Sequence, residues 1–167
     1  GAGVGRTMAL QNRPVARAQM LIRRPVADVF EAFVDPAITT RFWFTKSSGR
    51  LEPGAGVRWD WEMYGATAEV TVKALEPHSR IVIEWGDASQ PPTQVEWQFD
   101  DRSDGTTLVV VTNSGFAGTD DEVVAQAIDA QGGFTYVLAG LKAWLEHGVA
   151  LNLVTDHVPD AHVDRNS

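Results

Sequence analysis

The sequence contains no cysteine. That removes disulfides, thiol nucleophiles, iron–sulfur clusters and cysteine-ligated zinc together, and it fits a reducing, cytoplasmic compartment. No apolar run approaches the roughly 20 residues that a membrane-crossing helix needs. There is no Gly-x-Ser-x-Gly elbow for a serine nucleophile, and the alternating glycines Gly1, Gly3 and Gly5 precede any strand pattern, so they cradle no phosphate. Basic residues are scarce in the body of the chain. Five of the 14 Lys and Arg residues (Arg6, Arg13, Arg17, Arg23 and Arg24) precede Pro25 and all 22 acids follow it, leaving residues 25–167 with a net charge of −13. Such a body repels phosphate backbones, and no nucleic-acid partner is expected.

What is present suffices for one domain. A chain of 167 residues with 44% hydrophobic content buries roughly 70% of its unfolded surface without staples. Residues 1–13 are expected to be a cloning scar or a disordered lead-in, with Met8 as a native start. The arginine-rich, acid-free opening has the composition of a transit peptide, but it lacks the apolar stretch of a secretory signal. The domain is expected over residues 14–150 and a polar tail over 151–167.

Hydrophobic periodicity supplies the elements. Ala16, Ala18, Met20 and Ile22 alternate with Arg17, Gln19, Leu21 and Arg23, which predicts a half-buried strand. Pro25 ends it and opens a helix whose stripe is Val26, Val29, Phe30 and Phe33. Asp35-Pro36 is a cap followed by proline, starting a second short helix through about Phe42. Alternation then returns. Val57, Trp59, Trp61 and Met63 share one parity, as do Ala66, Ala68, Val70, Val72 and Ala74. Further strands carry Ile81, Ile83 and Trp85, then Val95, Trp97 and Phe99, then Leu108, Val110, Thr112 and Ser114. Such closely turned strands predict an antiparallel meander. Thr119 and the acids after it start one long helix, expected over about 120–148. Its stripe is Val124, Ala127, Ile128, Phe134, Leu138, Leu141 and Leu145, and Gly132-Gly133 predicts a kink or a close backbone approach.

The pieces Arg24-Pro25-Val26-Ala27-Asp28-Val29-Phe30, Asp35-Pro36, Arg41-Phe42-Trp43-Phe44, Leu51-Glu52-Pro53-Gly54-Ala55-Gly56 and Ser114-Gly115-Phe116 follow one another in order. With Glu76-Pro77 before Ile81-Val82-Ile83-Glu84-Trp85, Gly105-Thr106-Thr107-Leu108, and Leu138 to Glu146 at the helix end, they run from Arg24 to Glu146, within a resemblance that covers about residues 14–148. Together they resemble the family related to the heat-shock protein 90 ATPase activator, in the START-like superfamily of polyketide cyclases and lipid carriers. The resemblance implies an α+β helix-grip fold, a seven-stranded antiparallel sheet wrapped around the long C-terminal helix, with a cavity between them. It carries no universal catalytic motif. Co-chaperone activity in the family goes with an additional N-terminal domain, and stimulation of the chaperone's ATPase is not expected from this chain.

Within that fold the expected ligand-binding residues are Trp59, Trp61, Met63, Ala68, Trp97, Phe99, Thr112, Phe134 and Leu138. Large aromatics beside the small residues Ala16, Ala18, Ala66, Ala68 and Ala74 leave a concave apolar pocket, or else the alanines compensate the tryptophans in a close-packed core. Thr112, Ser114 and Tyr64 are hydroxyls near that side. Glu62, Glu69, Glu84 and Glu96 fall on the outer parity, so paired-carboxylate catalysis has no support. In the tail, Asp156, His157, Asp160, His162 and Asp164 are metal-competent, but the segment reads as solvated; no metal and no cofactor are expected.

The function expected first is binding of a small hydrophobic or lipid-like molecule. A cofactor-independent enzyme comes second and would be favoured by an inward ionisable residue such as Arg41 or Glu52. A chaperone-interacting protein comes third. No membrane span is expected, and a homodimer stays open.

Overall fold

The computed structural model describes residues 10–163; the start of the expected lead-in and Asp164 lie outside them. Strand β1 (Ala16–Ile22) buries Ala16, Ala18 and Ile22 and exposes Arg17 and Gln19, as its alternation requires. Helix α1 (Val26–Val34) buries Val29, Phe30 and Phe33, and α2 (Pro36–Thr39) is capped by Asp35, whose carboxylate accepts from the Ala37 N–H at 2.9 Å. Six further strands follow: β2 (Lys46–Ser47), β3 (Gly56–Trp61), β4 (Ala66–Glu76), β5 (Arg80–Gly86), β6 (Thr93–Asp101) and β7 (Thr107–Ser114). They form one antiparallel sheet in the order β1-β7-β6-β5-β4-β3-β2, around α3 (Asp120–His147). This is the helix-grip fold. Strand β2, only two residues long, carries no alternation and is legible only from its pairing with Trp59 and Asp60.

Three inner rows depart from simple alternation. Strand β3 stops at Trp61, and Glu62–Tyr64 coil into a 3-10 turn closed by Gly65 at φ 61°. Met63 therefore leaves the inner row; its carbonyl instead accepts from the Val163 N–H at 2.9 Å. In β4 the register slips between Val72 and Ala74, so Ala74 pairs with Val82 on the outer face while Leu75 packs on the core. Ala66, at the strand's start, is exposed. In β7 the inward residues are Val109, Val111 and Asn113, opposite Phe99, Trp97 and Val95. Thr112 and Ser114 face outward, Thr112 between Arg17 and Glu96. Valines on both faces of this strand hide its parity.

Helix α3 begins with a capping box between Thr119 and Glu122 and ends at left-handed Gly148. Its buried stripe is Val123, Ala127, Phe134, Val137, Leu138 and Leu141. Val124 and Ile128, expected there, point to solvent, Ile128 with 69% of its surface exposed. The helix runs unbroken through Gly132-Gly133, where added β-carbons would meet nothing within 4 Å. The close approach is two turns further on, at Gly140 against Phe42.

Short helix α4 (Leu153–Asp156) and a 3-10 turn at Pro159–Ala161 follow. This expected solvated tail is tied down. The Tyr64 hydroxyl donates to the carbonyls of Val154 and Thr155, and His157 Nδ1 and His162 Nε2 lie 2.8 and 2.7 Å from the carbonyls of Val154 and Thr155. Among the described residues no three His, Asp or Glu side chains gather into a metal-ligating group. None of the described helices is long and apolar enough to cross a membrane.

Candidate ligand cavity

The segment after α2 decides where the interior is full. Phe42, Trp43 and Phe44 are all buried under the sheet. Phe44 stacks on Trp59 with ring centroids 4.6 Å apart, and Trp43 meets Trp59 at 4.9 Å and Trp97 at 5.7 Å. Phe33 fills in against Trp97 and Phe99 at 5.5 and 5.8 Å. Most of the space between sheet and helix is thus solid aromatic core. Trp97 Nε1 is buried in it without a hydrogen-bond partner among the described residues.

Space remains at one end. A cavity of about 480 Å³ lies between the close of β5, the start of β6, the end of β7, the middle of α3 and the tail. That volume suits a small organic ligand, for which pockets run about 300–1,000 Å³. Trp43, Trp85, Phe116, Phe134 and Val137 make its apolar walls, and Val154 with His157 closes one side. Gly133 opens the helix wall, since a side chain there would enter free space.

The polar groups are few and ordered. Thr93 and Trp85 are cross-strand partners, and the Trp85 indole N–H donates to Thr93 Oγ1 at 3.1 Å. Asn113, only 3% exposed, donates from Nδ2 to the Gln94 carbonyl at 2.8 Å and to Thr93 Oγ1 at 3.1 Å. Because a backbone carbonyl only accepts, the amide is oriented and its Oδ1 is left as an acceptor at the cavity. Thr93 Oγ1 accepts twice, so its own proton is free to donate. Asp87 and Asp129 stand on the lining as well. Ser89 hydrogen bonds hold the Asp87 carboxyl below the usual carboxylate range, so it stays ionised. His157 is anchored through Nδ1, leaving Nε2 for the solvent side or a ligand.

Of the nine residues expected at the site, Phe134 lines this cavity. Trp59, Trp97, Phe99, Ala68 and Leu138 lie in the packed core beside it, Ala68 directly opposite Trp59 in the β3–β4 pairing. Trp61 packs at the core's margin against Trp43 and Phe44. Met63 and Thr112 lie elsewhere, for the reasons given above. Trp43, Trp85, Thr93, Asn113, Asp129, Gly133, Val154 and His157 were not foreseen as a group. The inward parity of Trp85 was the one available signal. Arg41 lies over the Trp144 ring at 5.2 Å, and Glu52 is exposed, so neither reaches the cavity. The outer-face acids are surface groups, Glu84 3.7 Å from Lys73 and Glu96 3.0 Å from Arg80.

This architecture can be set beside known proteins. The model of the family described as activator of Hsp90 ATPase homolog 1-like protein matches residues 23–146. The chain belongs to that family. Protein SSP2350 of Staphylococcus saprophyticus is 32% identical and superposes with a TM-score of 0.70, covering 83% of this chain and 96% of that one. The Aha1 dimer of Colwellia psychrerythraea, solved in solution, is 17% identical with a TM-score of 0.70 over 81% of this chain and 98% of its own. The di-domain ARO/CYC BexL of the BE-7585A biosynthetic pathway has a TM-score of 0.70 at 17% identity, covering 80% of this chain and 46% of that longer one. At that identity the last two speak for the shared fold alone. No curated protein matches the sequence.

Proposed function

We propose that this family member binds a small hydrophobic, ring-bearing molecule in the cavity between the β5–β6 end of the sheet and α3. The observation that carries the reading is the pairing of aromatic walls with one buried, oriented amide. Trp43, Trp85 and Phe134 supply apolar area, worth about 25 cal/mol per Å² buried, while Asn113 Oδ1 and the Thr93 hydroxyl orient a polar group. Biosynthetic proteins such as BexL share the fold, which agrees with a ligand-handling role.

Tryptophan emission tests this directly, because Trp43 and Trp85 touch any occupant. Titration with neutral bicyclic aromatics should give a saturable change that Gly133→Leu abolishes. A panel giving no saturable change with folded protein would overturn the proposal. A second reading, cofactor-free catalysis on the bound molecule, is favoured by Asp129 and His157, ionisable groups at the cavity where Arg41 and Glu52 are not. Ligand recovered chemically unchanged after long incubation would count against it.

A further inference from the structure

We infer that the cavity selects for a ligand carrying a cationic amine on its aromatic body and rejects carboxylates; the inference rests on the ligand-binding reading above. The two carboxylates and the buried amide on the lining point the same way. Asp87 and Asp129 are carboxylates, and among the described residues that line the cavity there is no Lys or Arg. The 97% buried Asn113 has spent both amide protons on Gln94 and Thr93, and its Oδ1 takes no hydrogen bond among the described residues. It therefore offers an acceptor, which an ammonium or hydroxyl satisfies and a carboxylate does not. Gln126, a second amide on the lining, gives one of its two Nε2 protons to the Ala117 carbonyl at 2.9 Å. The walls agree with the charges. Trp43, Trp85 and Phe134 are on the lining, and a cation seated over an aromatic face is attracted where an anion is repelled. The Ser89 hydrogen bonds hold the Asp87 carboxyl below its ordinary value.

A matched trio of probes reads this out: 2-naphthylmethylamine, 2-naphthalenemethanol and 2-naphthoate, each titrated against tryptophan emission at low salt. The amine should bind at least about tenfold tighter than the carboxylate, with the alcohol between them. Asp129→Asn, an exposed and isosteric change, should narrow that ratio severalfold, and Asp87→Asn should narrow it further. Asp121→Asn removes an equal charge outside the cavity and should leave the ratio unchanged, which separates a local preference from the pull of an acidic protein. Equal binding of all three probes, or a ratio that Asp121→Asn moves as much as Asp129→Asn does, overturns the charge selection while leaving the cavity as a ligand site. Binding of none of the three removes both readings together.

Discussion

Gly140 lies so close to Phe42 that an added β-carbon would sit 3.2 Å from the Phe42 Cβ and 3.3 Å from its carbonyl oxygen. Neither atom is a flexible side-chain end, because Phe42 is buried and its ring packs edge-on against Phe33 at 5.6 Å. This contact sets how near α3 approaches the segment that carries Trp43. Gly140→Ala should therefore destabilise the protein by about 1–2 kcal/mol, although alanine is the better helix former by about 1 kcal/mol. Gly132→Ala, with nothing within 4 Å, should instead stabilise by about 0.5–1 kcal/mol. Urea titrations of the two variants check the pair. Equal effects would mean that the close approach is not fixed.

Ala68 and Gly133 separate the core from the cavity. Ala68 is buried opposite Trp59, where the small residue makes room for the indole. Ala68→Phe should overpack that layer and cost about 1–3 kcal/mol, visible in thermal unfolding. Gly133→Leu enters open space, removes a helix glycine and should leave stability equal or higher while eliminating ligand response. A ligand response lost in Ala68→Phe at unchanged stability would place the pocket in the wrong part of the interior.

The contrast also shows how far residue order reaches. Element order, the α1 stripe, the Asp35 and Thr119 caps and the inward tryptophans of β3 and β6 are legible, because one-sided burial stamps a period on the chain. The cavity is not. Its location depends on what fills the remainder, and Phe42, Trp43 and Phe44 sit in a turn that has no period to reveal their direction. Strand β7 carries valines on both faces, so Asn113 and Thr112 exchange roles by one residue. The slip after Val72 sends Ala74 outward for the same kind of reason. The tail's composition reads as solvated, yet Tyr64 and the Met63 carbonyl, both in the 3-10 turn after β3, bind it.

Glu146 gives the fold a pH dependence. Burial pushes its carboxyl up, but the Arg23 backbone N–H at 2.9 Å and the Lys142 ammonium at 2.7 Å outweigh burial and hold it below its ordinary value. Lys142 also donates to the Leu21 carbonyl at 2.9 Å, so this pair fastens α3 to the end of β1. Because the folded-state value is depressed, the stabilisation is complete above the unfolded carboxylate value and disappears as pH falls through the folded one. Glu146→Gln should flatten stability against pH across that acidic window and cost about 1–2 kcal/mol at neutral pH. Chemical denaturation at a series of pH values measures it, and parallel curves for the two proteins would refute the assignment.

Tyr64 couples the tail to the cavity. Its hydroxyl donates to the Val154 carbonyl and, at 3.1 Å, to that of Thr155, while Val154 and His157 of the same segment line the cavity. The ring also meets His162 edge-on at 5.3 Å, so the contact is both polar and aromatic. Burial pushes the phenol up, which favours the protonated, donating form and keeps the tether intact until pH rises through the folded-state value. Tyr64→Phe keeps the ring and removes only the donor. It should cost about 1 kcal/mol and raise amide exchange selectively over residues 153–157. Ligand affinity should fall with it, because one wall of the cavity is then held less of the time. Unchanged exchange in the tail alongside unchanged affinity would mean that the aromatic contacts alone hold this wall, and that the hydroxyl is dispensable to both.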